Sequence, residues 1–122
     1  MAILTELIVW QLADELRTDV FRLAERDSVQ RDFRFRDQLR GAVSSIAANI
    51  TEGYGRTNHT DFARFLDFAM GSLRETENWL IDGVGRRYWT EAESAPARRL
   101  CKRLTVAITN LRKYLRSTRP PK

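Results

Sequence analysis

The stretch RGAVSSIAANITEGYGR, residues 40–56, decides the fold. Leu39, Ala42, Val43, Ile46, Ile50 and Gly53 recur at steps of three and four, the spacing that places side chains on one face of a helix. Gly41, Ser45, Ala48, Glu52 and Gly55 form a second stripe of mostly small side chains. A helix with two packing faces belongs between neighbours. The spacing predicts a helix over about 34–54. Gly53 and Gly55 suit its end, because a left-handed closing residue is least costly at glycine. Gly41 is expected to weaken the helix locally by about 1 kcal/mol relative to alanine.

The pattern extends in both directions. A first helix is expected over about 4–26, with Val9, Leu12, Ala13, Leu16, Val20, Leu23 and Ala24 as its core stripe. A short polar connection follows, residues 26–32. A third helix is expected over about 58–86. It opens at Asn58 with Asp61 three residues on, a capping-box-like start. Its stripe is Phe62, Phe65, Leu66, Ala69, Leu73, Thr76, Leu80 and Val84, and Gly83 and Gly85 mark its exit. A fourth helix is expected over about 91–117, capped by Thr90 with Glu93. Its stripe is Leu100, Cys101, Leu104, Ala107, Ile108, Leu111 and Leu115. Pro96 lies beyond its first turn, where a missing amide and a ring clash cost about 3 kcal/mol. Either the helix kinks there or a short turn precedes it. Pro120-Pro121 leave a short basic tail, residues 118–122. No stretch alternates in the manner of a strand. The expected fold is all-α: one domain over residues 1–122, an antiparallel up-down-up-down four-helix bundle.

Two sequence blocks also carry a resemblance. The first is Arg40, Ser45-Ile46, Asn49-Ile50-Thr51-Glu52-Gly53 and Arg56. The second is Phe62, Phe65-Leu66, Ala69, Gly71-Ser72-Leu73, Glu75 and Glu77. Together they resemble the four-helix-bundle proteins encoded in 23S rRNA intervening sequences, over most of the chain. Ala47 stands where that family often has proline, Thr51 where it often has alanine, and Gly41 where alanine is common. The resemblance implies a four-helix bundle that assembles as a ring of five. It also implies kinship with the accessory proteins of diversity-generating retroelements, which dock a reverse transcriptase.

Composition bounds the function. A chain of 122 residues with 43% apolar and 30% charged side chains has enough apolar content for one core and is unlike a disordered chain. Its longest uncharged apolar run, Leu7-Ile8-Val9-Trp10, is too short to span a bilayer. The N-terminus does not read as a signal peptide. The one cysteine, Cys101, cannot form an internal disulfide, so a cytoplasmic location is expected.

Catalytic constellations are weak. Asn49, Glu52, Glu75 and Glu77, with Arg40 as a partner, read as a buried polar network fixing helix register rather than as a metal site. Di-iron bundles need a Glu-x-x-His step, which this chain lacks. The one histidine, His59, reads as a solvated loop residue. Ser44, Ser45 and Ser72 have no histidine on a shared helical face. Cys101 lies on an apolar stripe and reads as a buried small hydrophobe. No phosphate-cradling glycine pattern follows a strand. No enzyme activity, metal or cofactor is expected.

The strongest functional signal is charge. The net charge of +5 hides an asymmetry. Residues 1–85 carry 10 basic and 14 acidic side chains, a balance of −4. Residues 86–122 carry 11 basic and 2 acidic, a balance of +9. Arg98, Lys102, Thr105, Thr109, Arg112 and Arg116 recur at helical spacing, with Arg87, Lys113 and Arg119 nearby. Such a strip suits a phosphate backbone, although a solvated outer face carries the same charges. Tyr88, Trp89 and Tyr114 lie close in sequence and either stack on bases or pack inward. The second signal is apolar surplus. Trp10 and Phe21 lie beside the first helix's stripe, Phe68 and Trp79 beside the third's, which predicts an interface between copies. The expected role is a non-catalytic, ring-like homo-oligomer contacting RNA or DNA. A scaffold docking a partner protein is the alternative.

Overall fold

A computed structural model describes residues 3–118. Among the described residues the chain is all-helical. A 3-10 turn over Leu4–Glu6 precedes α1 (Ile8–Ala24), α2 (Asp27–Gln30), α3 (Phe33–Tyr54), α4 (His59–Gly85) and α5 (Glu91–Ser117). The expected first helix is thus divided into the turn and α1. The connection read as polar contains the short α2, because Val29 within it is fully buried and plugs the core.

Each long helix buries the face its spacing predicts. Val9, Leu12, Leu16 and Val20 of α1, Leu39, Val43, Ile46 and Ile50 of α3, Leu66, Leu73 and Leu80 of α4, and Leu100, Leu104 and Ile108 of α5 join one cluster. Each such side chain, fully buried, contributes about 1.5–3 kcal/mol. The α3 helix packs on both α1 and α4, and α5 closes the bundle against α4 and α1. The start of α4 lies at the end of α5, where His59 Nδ1 is 2.9 Å from Thr118 Oγ1. The start of α1 lies beside residues 103–111 of α5. The end of α1 lies beside Glu93, Pro96 and Ala97.

Helix ends follow their caps. The Asp32 side chain accepts from the Phe35 amide at 3.2 Å. Asn58 accepts from the Asp61 amide at 2.8 Å, which is one half of a capping box. Thr90 and Glu93 form both halves of theirs. With that box in place, α5 continues as one helix through Pro96. Residues 91–96 are therefore part of α5 itself and are not a separate turn before it.

The glycines act differently from expectation. Gly55 closes α3 in the right-handed region, and the left-handed backbone falls on Arg87 instead, at φ 64°. Gly53 and Gly83 are close-approach positions. A Cβ on Gly53 would lie 2.8 Å from Phe65 Cβ. One on Gly83 would lie 2.0 Å from Trp89 Cζ2, because the indole lies flush against α4 and its Nε1 donates to the Leu80 carbonyl at 2.9 Å. Trp89 is 3% exposed and packs inward. Gly41 has open space around its Cα.

The predicted interface residues are redistributed. Trp10, Phe21 and Trp79 are half-buried against the core of their own chain, and of the four only Phe68 is exposed. Further exposed apolar side chains lie beyond the four, at Ile8, Phe33, Ile81 and Val106. Among the described residues, no helix is long and apolar enough to cross a membrane.

Candidate nucleic-acid interface

The α5 helix begins at the Thr90 cap and buries Ala97, Leu100, Cys101, Leu104, Ile108 and Leu115. Successive residues advance about 100° around the axis. The direction opposite that buried set therefore falls on Arg99, Lys102, Arg103, Val106, Asn110 and Lys113, all of which are exposed. Apart from Lys102, the stripe expected from sequence lies to one side of this ridge. Its Thr105, Thr109 and Arg112 are half-buried. Thr105 Oγ1 accepts from Arg74 at 3.3 Å, and Arg112 and Arg116 both donate to Asp67 of α4, at 2.9 and 2.5 Å. That carboxylate offsets one of the two charges. Arg98 and Lys102 of that stripe are exposed as expected, as are Arg99, Arg103 and Lys113, while Arg116 is exposed but paired with Asp67. Arg99 and Arg103 are absent from the expected stripe. Taking the face opposite Leu100, Leu104 and Ile108 would have found them.

Ion pairing separates this patch from the rest of the chain. Before Arg86, every described arginine except Arg31, Arg34 and Arg40 is in an ion pair. Arg40 lies over the Phe21 ring at 4.7 Å. On α5, none of Arg98, Arg99, Lys102, Arg103 and Lys113 is within ion-pair distance of a described carboxylate. Arg98 with Lys102 and Arg99 with Arg103 are like-charge pairs at i,i+4, an arrangement that destabilises a helix. Arg87 is exposed in the turn before α5. Arg119 lies outside the described residues.

The candidate polar network is not gathered at one place. Glu52 pairs with Arg56 at 2.8 Å, Glu77 with Arg74, and Glu75 accepts from Trp79 Nε1 at 3.4 Å. Asn49 instead joins a small polar chain between α3 and α4. Its amide donates to Ser45 Oγ at 3.1 Å, and Ser72 Oγ donates to Ser45 Oγ at 2.8 Å. His59 is half-buried against Tyr114 and Thr118 rather than solvated in a loop. Among the described residues, no group of three or more His, Cys, Asp or Glu side chains is placed to hold a metal ion.

A second polar cluster, invisible in the sequence, ties the opposite end of the bundle. Asp32 accepts from Tyr88 Oη at 2.5 Å and from Arg86 at 3.0 Å, and Arg86 also pairs with Asp82 at 2.8 Å. The Tyr88 hydroxyl and the Phe35 amide hold the Asp32 carboxyl below its usual range, and the same carboxylate pushes the Tyr88 hydroxyl up. Arg26 pairs with Glu93 at 2.6 Å. That guanidinium, with the Thr90 amide, lowers Glu93 to about 2. Burial raises the Cys101 thiol to about 12, so it is neutral and a poor nucleophile.

A helical bundle with its unpaired cations concentrated on one helix is the class of protein defined here. The chain matches the model of the family described as 23S rRNA-intervening sequence protein over residues 5–110, and it belongs to that family. It is also similar to the crystal structure of a protein of unknown function from the S23 ribosomal protein family of Bacteroides thetaiotaomicron. The two share 25% identity at a TM-score of 0.63, over 90% of this chain and 96% of that one. No curated protein matches.

Proposed function

We propose that this chain is a non-catalytic antiparallel four-helix bundle that binds RNA or DNA phosphates through the Arg98, Arg99, Lys102 and Arg103 patch of α5, in the cytoplasm. The observation carrying this reading is the lack of ion pairs in that patch among the described residues, while Asp67 holds Arg112 and Arg116. Phosphates would supply the missing counter-charge and release condensed cations, so affinity falls steeply with salt. Measuring oligonucleotide binding by fluorescence anisotropy at two salt concentrations tests it. Replacing all four residues with glutamine is expected to flatten the salt slope by about three to four phosphate contacts' worth. An unchanged slope, or no binding at low salt, overturns the reading. Replacing Arg112 and Arg116 should change binding less.

Self-association belongs to the same proposal. Phe33, Phe68 and Ile81 are exposed apolar side chains of the kind buried between copies. A ring of five follows from the family resemblance. Light scattering at micromolar concentration checks it, and a single folded subunit would refute it.

A further inference from the structure

An apolar groove of about 670 Å³ runs between the start of α1 and the C-terminal half of α5. Leu7, Ile8 and Leu12 form one wall and Val106, Ala107 and Leu111 the other, with Arg103 at the rim. Ile8 and Val106 are 61% and 60% exposed. Phosphates and sugars gain little from aliphatic walls, so the nucleic-acid reading leaves this groove unused.

Its dimensions and charge indicate an occupant. Residues 103–111 span about 12 Å along α5, the length of two helical turns. That length accepts two or three apolar side chains spaced i, i+3 or i+4, and i+7 on a partner helix. Arg99, Arg103 and Lys113 share the outward ridge with Val106, and Lys102 lies beside them. None of these cations has an ion-pair partner among the described residues. A helix whose apolar stripe is flanked by carboxylates would gain both apolar burial and charge pairing, whereas one flanked by lysines would be repelled. We propose that this groove docks an acidic amphipathic helix of a partner protein. The inference goes beyond nucleic-acid contact, because it requires Ile8 and Val106, which no phosphate needs.

The test uses the full chain and two synthetic peptides of about 14 residues, long enough to form helix on binding. Both carry leucines at i, i+3 and i+7, one flanked by glutamates and the other by lysines. In titration calorimetry, the glutamate peptide is expected to saturate at one per chain and to bind at least tenfold more tightly than the lysine peptide. Val106→Glu and Ile8→Glu, each checked for retained helicity, should weaken it at least tenfold. The double variant Arg99→Glu with Arg103→Glu should reverse the preference between peptides. Failure of the glutamate peptide to saturate, equal affinity for both peptides, or unchanged binding by both groove variants would overturn the proposal. It would also be overturned if Val106→Glu instead dissolved a self-assembly seen by light scattering, which would give the groove to a second copy. Loss of oligonucleotide binding in Val106→Glu, with peptide binding unchanged, would give it to nucleic acid.

Discussion

Two neighbouring regions, residues 79–93 and residues 98–103, differ in how they use charge. Around residues 79–93 the ionic groups are tied to one another and to the core. Asp32 takes Tyr88 and Arg86, Glu93 takes Arg26, and Trp89 lies against Gly83. From Arg98 to Arg103 the cations are exposed and have no carboxylate partner among the described residues. The first region ties helices to one another. The second contributes nothing comparable to folding, so its charges are available for something outside the chain.

Gly83→Ala should break the first region most severely. The new methyl would overlap the Trp89 ring and threaten its hydrogen bond to Leu80, two effects that together cost about 3 kcal/mol or more. Thermal denaturation should report a drop on the order of 10 °C. A loss under 1 kcal/mol would mean that the indole is not held as described. The same substitution at Gly41, where nothing lies within 4 Å, should instead stabilise by about 1 kcal/mol. Opposite signs for one chemical change would show how far the two helix environments differ.

Arg87→Gly should relieve the left-handed backbone at φ 64°. The gain is about 1 kcal/mol after glycine's extra unfolded-state freedom is subtracted, read as a higher urea midpoint. Acid titration probes the same region. Glu93 and Asp32 have folded-state values below their ordinary ones, with Glu93 near 2. Their contribution is therefore present above the ordinary carboxylate range and is lost as pH falls from about 4.5 toward about 2. Glu93→Gln should flatten the stability profile in that window, and an unaltered profile would count against the Arg26 pairing. The smallest effect should come from the outer patch. Replacing Arg98, Arg99, Lys102 and Arg103 with glutamine should leave the melting temperature unchanged or slightly raised, because it removes two like-charge i,i+4 pairs. A marked fall in melting temperature would contradict the contrast between the regions.

Much of the scaffold was readable from spacing alone. The stripes of α1, α3, α4 and α5 are buried nearly as expected, and the caps at Asn58 and Thr90 are present. Local periodicity and capping depend on residues a few positions apart, which the sequence displays directly. Contacts between distant residues do not have that property. Asp32 meets Arg86 and Tyr88 across more than fifty residues. Gly83 looks like a helix exit until Trp89 folds back onto it, and His59 looks like a loop residue until Thr118 arrives beside it. The basic face was partly legible. Cations at helical spacing include the exposed Arg98 and Lys102 but also Arg112 and Arg116, which Asp67 holds, whereas the rotation set by the buried leucines adds Arg99 and Arg103. The expected carboxylate network failed for a simpler reason: Glu52 and Glu77 each have an arginine within four residues on their own helix.

The enclosed sulfur of Cys101 makes the bundle its own stopwatch. A maleimide-type reagent can react only when α5 lifts away, so the ratio of labelling rates in the native and denatured chain measures the free energy of that opening. Repeating the measurement with an oligonucleotide or the acidic peptide present would reveal whether an occupant of the outer surface also slows the breathing of the helix beneath it.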